Sequence, residues 1–185
     1  KQLIAVGARE ASKDELALNH DSGYIEQLAQ SKPHGVHMLD GDTYINEHSW
    51  RAALLSYGGA LLAVEKVLTG EWERAFCSLR PPGHHAMFDH AMGFCLFNNI
   101  AGAARVAQSR FGIEHVAIAD FDVHHGNGTQ WSFYQESTVH YTSIHQYPFY
   151  PGLNPVPAAV FGHLIYNAYS QAYLPHPNLK WEPVP

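Results

Sequence analysis

The sequence predicts an α/β domain with a mainly parallel sheet flanked by helices. Short apolar runs of strand type alternate along the chain with longer segments whose apolar residues recur every three or four positions. Such alternation is typical of strand–helix–strand units, which build parallel sheets. Glycines and prolines separate the segments, as expected of the turns between them.

The composition fits one globular domain. The chain has 185 residues, of which 46% are hydrophobic and 15% charged, and its net charge is −6 with histidine neutral. An acidic chain without a basic stripe argues against nucleic acid as a partner. No apolar run approaches the roughly 20 residues that span a bilayer, so we expect a cytoplasmic protein without membrane contact. Cys77 and Cys95 lie in apolar runs, which predicts buried free thiols.

The N-terminal half is predicted to be mainly helical. Residues 12–30 are predicted as one helix, because Ser12 and Glu15 have the spacing of a capping box. Residues 31–48 contain few periodic apolar positions, which indicates a long loop. A second helix is predicted for residues 49–69 from six apolar side chains at alternating steps of four and three: Trp50, Leu54, Tyr57, Leu61, Val64 and Leu68.

Strands and helices alternate in the following part of the chain. Residues 74–79 are an apolar run, predicted as a buried strand, that leads into the rigid Arg-Pro-Pro-Gly turn of residues 80–83. The other predicted elements are helices at 97–111 and 128–136 and strands at 115–122 and 138–145. Two segments are expected overall, a domain of residues 1–152 and a proline-rich tail of residues 153–185, in which 158–173 is a further helix candidate.

Reactive side chains follow the predicted strand at 115–122. Alternate residues of an extended chain face the same way, so Asp120, Asp122 and His124 share one side. Carboxylate and imidazole are zinc ligands, and a catalytic zinc keeps one position open. The alternative is a buried strand whose acids bind helix N-termini or arginines. The histidines and glycines that follow directly favour a metal site.

Two adjacent histidines, His84 and His85, follow the turn at 80–83. A neutral imidazole beside a metal-bound water can take its proton, and a neighbouring imidazole can protonate a leaving amine. Each ring needs a partner on its second nitrogen, and Asp120 and Asn127 are the candidates. A surface loop with two exposed histidines is the alternative. The aromatic loops around Phe94 and Tyr150 fit either an apolar channel or ordinary core packing.

These motifs resemble those of the histone deacetylase and acetylpolyamine amidohydrolase family. The matching stretches occur in the family's order: Gly41–Thr43, Arg80–Ala86, Gly93–Asn99, Asp120–Thr129 and Ser143–His145. The Pro-Pro-Gly-His-His form, and Asn127 where other members have Asp, resemble class II enzymes and their bacterial relatives. The resemblance implies an arginase/deacetylase-like fold that is incomplete relative to the full family domain.

The resemblance also implies site residues. Asp122 and His124 would bind zinc, while Gly93 and Asp42 would contact the substrate. In the implied histidine pair, Asp120 would support His84 and Asn127 would support His85. Phe94 and Tyr150 would flank the acyl-lysine channel. Residues matching two structural potassium sites are Asp120, Asp122, His124, Ser143 and Ile144, and in part Phe133 and Val139.

The implied activity is zinc-dependent hydrolysis that removes acetyl or other acyl groups from lysine side chains or polyamines through a metal-activated water. The expected partners are an acetylated lysine peptide, an acetylpolyamine or a small acylated substrate, and a second copy of the chain. An esterase or other acyl hydrolase on the same zinc scaffold is an alternative function. An inactive module that binds acyl-lysine or a partner protein is another.

The chain departs from the family pattern towards its end. It contains no Asp after Asp122, whereas the family's third zinc ligand is an Asp in a later segment. The Gly-Gly-Tyr segment that carries the family's oxyanion-stabilising tyrosine is also missing. Three interpretations stay open: a fragment, a binding module without turnover, or a zinc shell completed by His163, His176, Glu182 or another chain.

Overall fold

A computed structural model describes residues 3–31, 33–146 and 149–152, together with the backbone of two strands in the tail. In chain order the elements are α1 (Lys13–Leu16), α2 (Ser22–Gln30), β1 (His37–Met38), β2 (Tyr44–Ile45), α3 (Ser49–Leu68), α4 (Asn99–Phe111), β3 (Val116–Asp120), α5 (Asn127–Ser132), β4 (Val139–His145), β5 (Leu164–Asn167) and β6 (Tyr173–Leu174).

The larger sheet has the strand order β3-β4-β5-β6. Strands β3 and β4 are parallel, with Val116 opposite Val139 and Asp120 opposite Ser143. Strand β5 is parallel to β4, and β6 is antiparallel to β5. Strands β1 and β2 form a separate antiparallel pair. The predicted α/β class with a mainly parallel sheet is confirmed.

Helix α4 lies between two apolar clusters. Its Ala103 and Val106 pack in a core that includes Tyr57 and Leu61 of α3. Its other face joins a second cluster beneath the sheet, formed by Ala101, Ala104, Ile118, Phe133, Val139 and Tyr141. The small alanines on both faces let α4 approach the helix on one side and the sheet on the other. The helix therefore holds β3 and β4 in a fixed position relative to α3.

The predicted helices at 49–69 and 97–111 are present with shifted bounds. Leu54, Tyr57 and Leu61 are buried on the predicted face of α3, but Leu68 is exposed at its end. Ile100 of α4 is also exposed, contrary to the predicted face. Helix α4 begins after Asn98, whose side chain accepts a hydrogen bond from the Ala101 amide, and it ends at the left-handed Gly112.

The single helix predicted for residues 12–30 is wrong. The Ser12–Glu15 capping box forms, but α1 ends at Leu16 and α2 begins after a second N-cap, Asp21. The break places His20 inside the core, where its Nδ1–H donates to the Met87 carbonyl at 2.9 Å. Its Nε2 accepts the Asn98 amide at 2.9 Å. A continuous helix could not meet both of these distant partners.

The buried strand predicted for residues 74–79 is also wrong. These residues join no ladder with a described strand, and the Phe76 side chain is 91% exposed. Cys77 is exposed rather than buried, whereas Cys95 is buried as predicted. A strand needs a neighbour to satisfy its backbone groups, and the described residues provide none beside this run. Most of its apolar side chains consequently face solvent, whereas Leu79 is partly buried against Gly59.

Three smaller expectations also change. The loop predicted at 31–48 contains the β1–β2 pair, and α5 ends at Ser132 rather than at residue 136. The helix candidate at 158–173 is wrong at Leu164–Asn167, which form β5, and at Tyr173, which begins β6; the rest of that stretch lies outside the described residues. Among the helices of the described part, none combines the length and apolarity that a bilayer crossing requires.

Replacing Gly102 by alanine should destabilise the fold. A Cβ at this position of α4 would come within 2.1 Å of the Tyr57 hydroxyl oxygen in the core. We expect Gly102→Ala to lower the free energy of unfolding by about 1–3 kcal/mol because of overpacking, despite alanine's higher helix propensity. Urea denaturation measures the effect, with Gly7→Ala as control because no atom lies within 4 Å of its Cβ. Equal stability of both variants would contradict the tight α3–α4 contact.

The protein should become less stable as the pH decreases, because His20 is buried in its neutral form. Burial lowers the pKa of His20 to about 4, against an ordinary value of 6.5, although its hydrogen bonds to backbone carbonyls oppose the shift. Between these values the unfolded chain binds more protons, so acidification lowers the free energy of unfolding, by about 3 kcal/mol for this group. Urea denaturation at neutral pH and near pH 4 should show a smaller pH dependence in His20→Gln. The same pH dependence in both proteins would exclude this role.

Candidate active site

The predicted site residues gather beyond the carboxyl ends of β3 and β4. Asp120 is the last residue of β3, and Ser143 lies opposite it in β4. The segment after the Arg-Pro-Pro-Gly turn runs against α5, where the Thr129 amide donates to the His84 carbonyl at 3.1 Å. A Cβ at Gly128 would come within 2.1 Å of the Ala86 carbonyl oxygen. This backbone contact brings the histidine pair to the strand ends, where open α/β sheets bind ligands.

His84 is hydrogen-bonded to Asp120. Its Nδ1 lies 3.0 Å from Asp120 Oδ2, and both side chains are mostly buried. Tyr141 donates its hydroxyl to the same carboxylate oxygen at 2.8 Å. Burial opposes ionisation of Asp120, but the hydrogen bonds from His84 and Tyr141 outweigh it and hold the pKa of Asp120 below its ordinary value. The ionised carboxylate therefore orients His84 and leaves its Nε2 available.

His85 is hydrogen-bonded to Asn127 in the same manner. The distance from His85 Nδ1 to Asn127 Oδ1 is 2.7 Å, and both side chains are buried. The ring centroids of His84 and His85 are 4.0 Å apart. Burial and the adjacent His84 ring lower the pKa of His85 to about 4. His85 is therefore neutral at physiological pH, which is the form that can accept a proton.

Asp122 and His124 face each other beside this pair. Asp122 Oδ1 lies 3.2 Å from His124 Nδ1 and also accepts the His124 amide at 2.8 Å. Two donor atoms on one tetrahedral zinc lie roughly 3.3 Å apart, given Zn–N and Zn–O bonds of about 2.1 Å. The donor types and their spacing thus fit a zinc ion. Both side chains are also accessible to solvent, at 49% and 42% exposure.

The number of ligands does not reach that of a complete zinc site. A catalytic zinc normally has three protein ligands. Among the described residues, no group of three or more His, Cys, Asp or Glu side chains could hold a metal ion. Asp122 and His124 would thus be two of the ligands of such a site, and a third would be needed to complete it.

Tyr150 covers one side of the histidine cluster formed by His84, His85 and His124. Its ring contacts His85 edge-on with centroids 4.8 Å apart and stands at 90° to the His124 ring at 6.0 Å. Burial and the nearby Asp42 carboxylate raise the pKa of Tyr150. The phenol is therefore protonated and presents an apolar wall to the cluster.

Phe94 and Gly93 form another part of the site. Phe94 has a φ of 65°, its amide donates to Thr43 Oγ1 at 3.1 Å, and its ring is exposed. A Cβ at Gly93 would come within 2.5 Å of the His85 ring, so only glycine lets this loop lie against the histidine. A cavity of about 290 Å³ opens beside Phe94, and Asp42 and Arg80 also line it.

Sequence reasoning missed Tyr141. The alternation of β4 places Tyr141, Ser143 and His145 on one face, and all three are buried. That alternation is the sequence signal from which Tyr141 could have been predicted to lie at the site. Ser143, predicted to bind potassium, shares a 2.8 Å hydrogen bond between its Oγ and His145 Nδ1, whereas the Ile144 side chain is exposed.

Comparison with known proteins identifies the family. Residues 1–165 match the histone deacetylase domain. The chain is 45% identical over 144 residues to a probable deacetylase of Methanothermobacter thermautotrophicus, covering 77% of this chain and 43% of the relative. It is 44% identical over 136 residues to a histone deacetylase-like amidohydrolase of Pseudomonas aeruginosa, covering 74% and 36%. The crystal structure of the HDA15 HD domain superposes with a TM-score of 0.77 at 44% identity, covering 80% of this chain and 44% of that chain.

The fold and the clustered side chains define an α/β protein with a deacetylase-like fold, in agreement with the predicted class. The chain belongs to the histone deacetylase family. It spans less than half the length of the curated relatives compared above. The resemblance inferred from the motifs is confirmed. The division at residue 152 stays a prediction.

Removing the Tyr141 hydroxyl should weaken the fold around Asp120. Tyr141→Phe deletes the 2.8 Å donor to a mostly buried carboxylate, which should lower the free energy of unfolding by about 1–3 kcal/mol. Urea denaturation at neutral pH measures the change. Tyr44→Phe is the matched control, because Tyr44 is exposed in β2. Identical losses in the two variants would show that the hydroxyl of Tyr141 contributes nothing specific.

Proposed function

We propose that this protein is a zinc-dependent deacylase that hydrolyses the amide of an acylated lysine side chain. One observation carries the proposal. Two histidines, each held through Nδ1 by Asp120 or Asn127, lie beside the facing donor atoms of Asp122 and His124. Membership in the histone deacetylase family supports amide hydrolysis as the reaction. A zinc ion held by Asp122, His124 and a ligand outside the described residues would polarise the acyl carbonyl and a water molecule.

The two histidines would have different parts in moving the proton. His85 starts neutral and has the uncharged Asn127 as its partner, so its Nε2 takes the proton of the attacking water. The same nitrogen then returns that proton to the leaving amine as the C–N bond breaks. The carboxylic acid so formed gives up its own proton to the amine, and the net products are a carboxylate and an ammonium group. His84 stands 4.0 Å away between this centre and the Asp120 carboxylate. The negative charge of Asp120 offsets the positive charge that develops on the histidine pair.

The surrounding residues suit a long apolar side chain that ends in an amide. Phe94 and Tyr150 would flank the acyl-lysine chain, and the Gly93 carbonyl would accept its amide N–H. Asp42, which lines the adjoining cavity, would accept a hydrogen bond from the substrate backbone. The acidic rim also suits an acetylpolyamine or a small acylated amine. We propose that Asp120, Ser143 and Ile144 also contribute to a potassium site whose role is structural.

Loss of Asp122 or His124 should weaken metal binding and turnover together. We expect Asp122→Asn and His124→Asn each to weaken zinc binding at least tenfold, because a two-ligand site already holds the ion poorly. Zinc content after gel filtration and hydrolysis of an acetyl-lysine peptide, with and without a chelator, are the measurements. Asp89→Asn is the matched control, since Asp89 is an exposed carboxylate paired with His90.

Three results would reject the proposed function. Peptide hydrolysis that a chelator leaves unchanged would exclude the zinc mechanism. Hydrolysis of acyl esters without any hydrolysis of acetyl-lysine amides would assign the site to an esterase. Binding of acetyl-lysine without turnover, in a protein shown to contain zinc, would assign it to a binding module.

A further inference from the structure

The amide nitrogen of the Asn127 side chain is surrounded by acceptor atoms. Its Oδ1 receives the His85 Nδ1–H, while its Nδ2 lies 3.2 Å from Met87 Sδ and 3.4 Å from Met92 Sδ. The His85 carbonyl oxygen is 3.4 Å from the same Nδ2. Asn127 is only 2% exposed, so water has little access to its amide group. The amide nitrogen therefore depends on these three neighbours.

All three neighbours of Nδ2 can only accept hydrogen bonds. A thioether sulfur is a weak acceptor without a proton, and a carbonyl oxygen likewise has no proton to give. If the amide of Asn127 rotated by half a turn, its Oδ1 would face the two sulfurs and the carbonyl oxygen without a donor. That arrangement leaves a buried acceptor unsatisfied. Met87 and Met92 thus disfavour the rotated amide.

The orientation of this amide determines the tautomer of His85. With Oδ1 towards the ring, His85 carries its proton on Nδ1 and leaves Nε2 free to accept one. With the NH₂ group towards the ring, Nδ1 would have to accept, and the proton would move to Nε2. In that second form His85 could not take a proton from water at Nε2.

Hydrogen bonds hold the backbone in place at both methionines. The Met87 amide donates to the His90 carbonyl at 3.0 Å, and its own carbonyl accepts the His20 Nδ1–H. Met92 and Cys95 exchange two backbone hydrogen bonds of 3.1 and 2.9 Å. The same arrangement explains why asparagine suits position 127. An aspartate there would present a second acceptor oxygen to the two sulfurs.

We propose that Met87 and Met92 are positioning residues that hold the amide of Asn127 and, through it, the Nδ1–H tautomer of His85. The inference deepens the proposed function, because it concerns the residue that would move the proton. It does not require turnover to be tested, since the tautomer of a histidine can be read directly from its ring nitrogens.

The test is long-range ¹H–¹⁵N NMR on protein labelled at histidine nitrogens, with His85 assigned by the resonances that disappear in His85→Gln. The original protein should show a protonated Nδ1 and an unprotonated Nε2. In the Met87→Leu/Met92→Leu double variant, leucine keeps the volume but removes the acceptors. We expect the tautomer ratio to shift about tenfold towards Nε2–H, as the loss of weak hydrogen bonds implies. Met38→Leu, at an exposed position of β1, should leave the ratio unchanged.

A purely structural role predicts a different result. If the methionines only fill space, the double variant loses stability while His85 keeps its tautomer, and that outcome overturns the inference. An Nε2–H tautomer in the original protein overturns it as well. Should the double variant not fold, Met87→Leu and Met92→Leu singly must each shift the ratio part of the way. An active zinc enzyme with an unchanged tautomer in these variants would refute the inference and leave the proposed function standing.

Discussion

The buried carboxylate of Asp120 is the group on which the rest of the site depends. It accepts hydrogen bonds from His84, from the Tyr141 hydroxyl and from the Asp122 amide. These donors come from three separate parts of the chain: the turn after residue 83, the middle of β4, and the loop after β3. A buried charge is tolerated only when it is well hydrogen-bonded. The position of each segment is therefore coupled to the others through one side chain. A Cβ at Gly126 would come within 2.2 Å of Asp120 Oδ2, so this loop packs directly against the carboxylate.

The two histidine dyads look alike but are electrostatically different. Asp120 gives His84 a charged partner, whereas Asn127 gives His85 a neutral one. A protonated His85 would carry its charge in a buried position beside a neutral partner, and burial lowers the pKa of His85 to about 4. His85 thus remains neutral until a proton arrives, mainly because it is buried, and its amide partner adds no charge that would oppose this.

Local patterns in the sequence predicted much of this arrangement. Asp122 and His124, predicted from their spacing after the strand, face each other, and both histidine pairings that the family resemblance implied are seen as contacts. Contacts between distant segments were not accessible in the same way. The helix break before Asp21 depends on the partners of His20, which lie 67 to 78 positions further along the chain. The failed strand prediction at 74–79 has the same origin, because an apolar run alone does not reveal whether a neighbouring strand is available.

The described part of the site divides into a buried half and an exposed half. His85 and Asn127 are almost inaccessible, and His84 and Asp120 are exposed by 16% and 12%, whereas Asp122 and His124 are about half exposed. Packing and hydrogen bonds fix the buried half before any ligand arrives, so the reorganisation needed for proton transfer is small. The exposed pair is held by the hydrogen bonds between Asp122 and His124, by the Asp122 amide donating to Asp120, and by the contact of the His124 ring with Tyr150. Its geometry would be completed by the proposed zinc ion and a further ligand, which would link metal binding to local ordering. The fold thus positions the proposed proton-transfer residues by itself, and the proposed metal centre would be assembled beside them.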